Sequence, residues 1–551
     1  MNQYKNTAPF GMSYTRFTAL LAAYFTLIVN VPFYKQLITV FAQSEAVNIG
    51  FALSIPVFLW AILNVVFSFF SWPYIGKPVF IVLLLCSSVV SYAGYHYGVM
   101  FDRTMMANIF ETDSSEAASY LSLSAITWVL LMGVVPVFWV YRVHLGPKRS
   151  LLVLLRGKMI SIGVSLLLIA GVASVFYQNY VSVGRNNVTL NRTLIPTEFI
   201  SSLIRYVNTQ YLTAPVAYKT LGLDAQQTAK ALQQAQIKPT LLVFVVGETA
   251  RSQNYQMNGY PRPTNRYTNQ SGIISFQDVS SCGTATAVSV PCMFSAMTRQ
   301  HFSRQQADHQ DNVLDLLQRA DVDIVWRDND GGDKQVAKHI KQLPIEDVAS
   351  NKQCNAGNCY DMALLDGFEQ HVEQLKGNRL MVLHLKGSHG PAYYQRYPSE
   401  HAQFLPDCKR SDIENCTNEQ IINTYDNSIL YTDYVLSQAI GRLERLQSKY
   451  NTALIYVSDH GESLGEEGLY LHGLPYQFAP NYQKRVPMLV WMSPSFQNAK
   501  AIDAECLRTH AQKKGTYSHD NVFHTLLGAM DVETRQYNPS LDLFERCRRN
   551  N

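Results

Sequence analysis

Residues Pro239–Ser252 read PTLLVFVVGETARS. The unbroken apolar run stops at Gly247 and hands over to Glu248 and Thr249. So short a run, rich in valine and without alternation, predicts a strand buried on both faces that feeds a polar loop. The design recurs in VDIVWRDND at 322–330, RLMVLHLKGSHGP at 379–391 and TALIYVSDHGES at 452–463. Helical stretches separate these runs, among them DNVLDLLQRA at 311–320 and ILYTDYVLSQAIGRLERL at 429–446. Such alternation predicts an α/β domain with a mostly parallel sheet. Ligands of such sheets gather beyond the carboxyl ends of the strands. Glu248, Lys334, His389 and the pair Asp459-His460 should therefore converge, with His472 following in LYLHG.

Upstream the pattern is different. The 551 residues are too many for one domain of ~150, and the mean hydropathy of −0.06 averages two unlike halves. No charge falls between Arg16 and Lys35, Glu45 and Lys77, Lys77 and Asp102, Glu116 and Arg142, or Lys158 and Arg185. Each run holds about 18 or more mostly apolar residues, enough for a helix to cross ~30 Å of hydrocarbon. Five transmembrane helices are expected. The loop YRVHLGPKRSLLVLLRGK carries Arg142, Lys148, Arg149, Arg156 and Lys158, which places it in the cytoplasm and everything after about Gln178 across the membrane. The expected division is a transmembrane domain at 1–178, bridging helices and linker at 179–236, and a catalytic α/β domain at 237–551. In the bridge, Phe199, Leu203, Tyr206 and Val207 fall near helical spacing. The net charge of +4 gives no argument for nucleic acid.

Eight of the nine cysteines lie in the soluble part and pair plausibly as Cys282/Cys292, Cys354/Cys359, Cys408/Cys416 and, farther apart, Cys506/Cys547. An even count in short loops suits disulfides in an oxidising compartment such as a bacterial periplasm. A zinc site at CNAGNC would need a second cysteine pair or a histidine cluster nearby, and neither is present.

The first cysteine pair brackets SCGTATAVSVPC at 281–292. A threonine hydroxyl is almost never ionised near neutrality, so as a nucleophile it needs a cation to stabilise its alkoxide. Carboxylates with an imidazole are good donors for zinc. Small neighbours, Gly283 and Ala285, leave room for a phosphorus centre, and a disulfide would hold the loop rigid.

Together GETARSQNY, SCGTATAVSVPCMFS, WRDNDGGDK, HLKGSHGP, YDNSILYTD, SDHGESLGE and YSHDNVFHTLLG resemble the phosphoethanolamine transferases of Gram-negative inner membranes. The resemblance covers nearly the whole chain. It is nearest the lipid A enzymes, which include the mobile colistin-resistance proteins, and it implies the alkaline phosphatase/sulfatase fold. It makes Thr286 the nucleophile, with Thr284 shaping the loop. Glu248, Asp459 and His460 become ligands of one tight zinc that Thr286 completes. His389 and His472 line the substrate side, where either could protonate the departing diacylglycerol oxygen and where some members hold a second zinc, and Lys334 contacts the transferred phosphate. MANIFETDSSE at 106–116 resembles the lipid-facing loop, with Asn108, Thr112 and Glu116 meeting the donor headgroup. Their spacing of four predicts one helical face.

The implied reaction moves phosphoethanolamine from phosphatidylethanolamine to Thr286 and then to a phosphate of lipid A, weakening attraction for polymyxins. The implied setting is the inner membrane, with a monomeric chain and its catalytic domain in the periplasm. Relatives acting on core heptose or Kdo sugars or on glucans share these motifs, so lipid A rests on overall similarity. A sulfatase would show C/S-x-P-x-R in the nucleophile loop, which is absent here. A glycerolphosphate polymerase of the lipoteichoic-acid type would lack the dense cysteines.

Overall fold

The computed structural model describes residues 11–42, 48–112, 114–145, 151–212, 216–345, 351–355 and 358–549. Two compact units emerge: Met1–Arg103 with Ser122–Arg205, and Thr104–Leu121 with Tyr206–Asn551.

The first unit is helical. Ile49–Phe70, Gly76–Tyr97, Leu123–Arg142 and Leu151–Val181 are each long and apolar enough to span a membrane. The first apolar run differs from a straight span, because Tyr14–Val29 and Val31–Ala42 meet at 54°. Asn30 sits at the break and repairs it. Its side-chain amide donates to the carbonyls of Phe25 (2.9 Å) and Ile195 (2.6 Å) and accepts from the Ile195 amide at 2.8 Å. Broken helices persist in lipid only when freed backbone groups find partners in this way. Counted as one span, the bent pair makes five. The fifth helix begins at Leu151, so Arg156 and Lys158 lie in its opening turns rather than in the loop. Lys148 and Arg149 lie outside the described residues. Asn64 bonds Ser161 (3.0 Å) and Ser165 (2.9 Å), polar glue between two spans.

In the second unit, β1 (Thr240–Gly247), β2 (Ile274–Ser280), β3 (Asp323–Asp328), β4 (Lys341–Gln342), β5 (Arg379–His384), β6 (Asn451–Ser458) and β7 (Arg485–Met492) form one sheet of order β2-β7-β6-β1-β5-β3-β4. Only β7 runs against its neighbours, so the sheet is mixed but mostly parallel. Every residue of β1 and β6 is buried. Both faces are therefore covered, as their continuous apolar runs require. Leu242, Phe244 and Val246 join a core with Val290, Met293, Leu314 and Phe523. The segment at 311–320 is helical over Val313–Arg319, and that at 429–446 belongs to a longer helix, Asn418–Arg445.

All four expected disulfides form: Cys282–Cys292, Cys354–Cys359, Cys408–Cys416 and Cys506–Cys547. Cys86 remains free.

Candidate active site and metal centre

The two carboxylate donors stand where strands end. Gly247 pairs with Ser458, so Glu248 and Asp459 leave adjacent parallel strands side by side. Asp459 Oδ1 accepts from the amides of Thr249 (3.1 Å) and His460 (2.7 Å). Asp459 Oδ2 is buried and receives no hydrogen bond. His460 Nδ1 lies 2.9 Å from the Gly461 carbonyl, which takes the ring proton and leaves the lone pair on Nε2. That Nε2 is 3.3 Å from both Glu248 Oε1 and Asp459 Oδ2, and 3.4 Å from Thr286 Oγ1. Thr286 Oγ1 is also 3.2 Å from Glu248 Oε2.

Glu248, Asp459 and His460 are inaccessible to solvent. Burial, then the charge of Asp459, pushes Glu248 up to about 7. Burial likewise lifts Asp459 to about 6 and drops His460 to about 4, with His472 adding to the fall. Two dry acids thus resist ionising together, while the imidazole is held neutral, the form that binds metal. A divalent ion would reverse the first effect and exploit the second. The orphaned Asp459 oxygen, the Glu248 carboxylate, the His460 lone pair and the Thr286 hydroxyl make a fitting four-donor set for zinc.

Backbone packing fixes this arrangement. Gly387 has φ +51° and passes so near β1 that a Cβ there would meet the Glu248 carbonyl oxygen at 2.5 Å. Thr286 opens the helix Thr286–Met293, where the amide ends of the helix favour negative charge. The Cys282–Cys292 bridge ties the approach loop to that helix. Thr284 spends its hydroxyl on the Leu474 carbonyl, and its own carbonyl accepts from Gly473 at 2.7 Å. It shapes the loop.

His389 and His472 join the cluster: the His472 ring centroid is 5.4 Å from His389 and 4.3 Å from His460. His472 Nδ1 is paired with Glu462 Oε2 at 2.8 Å, and Tyr393 donates to Glu462 Oε1 at 2.5 Å. Lys334 stands at φ +49° beyond β3, close enough for its charge to act on Asp328 and Asp330.

The segment holding Asn108, Thr112 and Glu116 departs from one continuous helical face. It folds as two helices, Arg103–Glu111 and Ser114–Ser119. Thr112 follows the first and turns its hydroxyl back onto the Asn108 carbonyl at 2.7 Å, a local bond that competes with helix continuation. The Glu116 side chain lies outside the described residues.

A family model described as Phosphoethanolamine transferase EptA/EptB matches residues 59–211, and one described as Sulfatase matches residues 240–532. Phosphoethanolamine transferase EptA of Escherichia coli K12 is 40% identical over 532 residues, covering 96% of each chain. The chain belongs to the phosphoethanolamine transferases. Phosphatidylethanolamine transferase Mcr-1 of Escherichia coli is 35% identical over 524 residues, covering 93% of this chain and 94% of that one. The integral membrane lipooligosaccharide phosphoethanolamine transferase A of Neisseria meningitidis superposes with a TM-score of 0.94 at 33% identity, over 98% of this chain and 100% of that one.

Several residues of this transferase site escaped the sequence reading. Glu462 holds His472. His519 accepts from the Cys282 amide at 3.0 Å and reaches the Ser458 carbonyl at 2.9 Å, joining the loop that leads to Thr286 to the end of β6. Arg304 donates to the Ala287 carbonyl, next to Thr286, and reaches the Lys334 carbonyl at 3.4 Å. His384 closes β5 and Asp330 follows β3. For the last pair a signal existed: a histidine ending an apolar strand and a second aspartate in WRDND.

Proposed function

We propose that the chain transfers phosphoethanolamine from phosphatidylethanolamine to a phosphate of lipid A through a covalent phosphoethanolamine on Thr286. The observation carrying this reading is the orphaned Asp459 oxygen, buried beside Glu248 and His460 with the Thr286 hydroxyl 3.2–3.4 Å from the latter two.

Glu248, Asp459 and His460 would hold one zinc ion with Thr286 as fourth ligand. Bound there, zinc supplies the positive charge that makes a hydroxyl nucleophilic at neutral pH and offsets charge on phosphoryl oxygens. His460 stays neutral through its bond to Gly461 and keeps its lone pair on the Thr286 side. Thr286 Oγ1 gives its proton to water and forms a new bond to phosphorus as the bond to the glycerol oxygen breaks. His472, oriented by Glu462, gives the departing diacylglycerol its proton. Lys334 faces the equatorial oxygens. A lipid A phosphate then attacks phosphorus and frees Thr286, with His389 and His472 lining the acceptor side. When His472 does not carry its proton, those two histidines would also be donors for a second zinc.

Asn108, Thr112 and Glu116 meet the donor headgroup. The first helical unit anchors the chain in the Gram-negative inner membrane, holding a monomer beside its lipid substrates at high effective concentration. The four disulfides suit a periplasmic location for the catalytic domain at 237–551, carried by the bridge at 179–236 and the spans of 1–178. The added amine on lipid A weakens attraction for polymyxins.

Mass spectrometry of lipid A from cells expressing the wild type or Thr286→Ala tests the proposal. A phosphoethanolamine increment is expected with the wild type alone. The same increment in both, or in neither, overturns it.

A further inference from the structure

Glu248 belongs to a second group of donors. With Asp330 and His384 it offers ligand atoms that all lie within 4.8 Å of one another, and all three side chains are buried. His384 is fully buried at the end of β5, and Asp328 pairs with it in register. Its Nδ1 is 2.6 Å from Asp328 Oδ1. A proton shared there leaves the lone pair on Nε2, the carboxylate–histidine arrangement that orients an imidazole towards a metal. His384 Nε2 is buried and makes no hydrogen bond.

The nearest carboxylate oxygen to that nitrogen, Asp330 Oδ2, stands 3.7 Å away. That is too far for a hydrogen bond. It matches two ligands of one ion, since bonds of ~2.1 Å separate their donors by roughly 3.3–4.2 Å between tetrahedral and linear angles.

We propose that Glu248, Asp330 and His384 hold a further divalent cation of the zinc or manganese class, with the Glu248 carboxylate bridging it to the ion of the catalytic centre. This rests on reading Glu248, Asp459 and His460 as that centre. Two carboxylates with one imidazole suit either metal. A carboxylate bridge places two ions at the ~3.5–4 Å spacing of two-metal phosphoryl-transfer sites. The further ion would hold the Glu248 carboxylate and so set where Oε2 meets Thr286. The site is distinct from the His389–His472 pair, since neither histidine belongs to it.

Full-length protein in detergent, stripped by chelator and reloaded with Zn²⁺ or with Mn²⁺, provides the test. Elemental analysis should give one metal equivalent fewer in His384→Asn and in Asp330→Asn than in the wild type, with no further loss in the double variant. Wild-type crystals should carry an anomalous peak between Glu248, Asp330 and His384, a measurement independent of how the variants fold. Unchanged stoichiometry in both variants, or anomalous density at the catalytic centre alone, overturns the proposal. Failure of the catalytic reading shows up separately, as an Asp459→Asn variant that loses no metal.

Discussion

Arg304 Nη1 lies 3.2 Å from Glu111 Oε1. The same guanidinium donates to the Ala287 carbonyl and, through Nε, to Asp308 Oδ1 at 2.8 Å. One cation therefore ties the segment carrying Asn108 and Thr112 to the helix that begins at Thr286.

Arg304→Lys keeps the charge but loses the planar fork. Small misplacements of a nucleophile cost roughly tenfold to a hundredfold in rate, so kcat for transfer from a fluorescent phosphatidylethanolamine should fall by that order. KM should change little. Glu111→Gln should lower the rate less, and the double variant should fall short of the product of the two effects. Independent, multiplicative effects would show that the pair does not act as a unit.

Gly387→Ala tests the close approach to Glu248. The added methyl meets a main-chain oxygen at 2.5 Å, in a backbone conformation that favours glycine. A cost of about 1–3 kcal/mol is expected, read as a lower Tm. Because the displaced group is the backbone of a proposed metal donor, metal content should drop as well. An unchanged melting curve would count against the packing argument.

His519 supplies a pH dependence. Burial lowers it to about 4, and its two ring nitrogens serve the Cys282 amide and the Ser458 carbonyl only as a neutral imidazole. Its folded pKa is below the unfolded value near 6.5, so the unfolded chain binds the extra proton between those values. The contribution is complete above pH 6.5 and declines as pH falls towards 4, by up to about 3 kcal/mol. Thermal unfolding of the wild type should lose stability over that window relative to His519→Gln. Parallel curves for the two proteins would refute this role.

Much of the catalytic unit was legible because its strands are buried on both faces and advertise themselves as unbroken apolar runs. Glu248, Asp459 and His460 could be proposed since each follows such a run directly. The membrane half was legible for the same reason, as long stretches without charge. Three features resisted. The bend at Asn30 depends on a partner at Ile195, far along the chain. The break after Glu111 interrupts a spacing that looked helical throughout. Arg304 and His519 act through main-chain carbonyls and amides of distant residues, and no local pattern records that.

The pairing of Gly247 with Ser458 has an evolutionary corollary. Glu248 and Asp459, side by side at the ends of these strands, are aligned by hydrogen bonds of the peptide backbone, which any pair of apolar strand sequences supplies. Heritable change can therefore concentrate in the surrounding loops, altering which molecule is accepted, while the chemistry passes down intact beneath them.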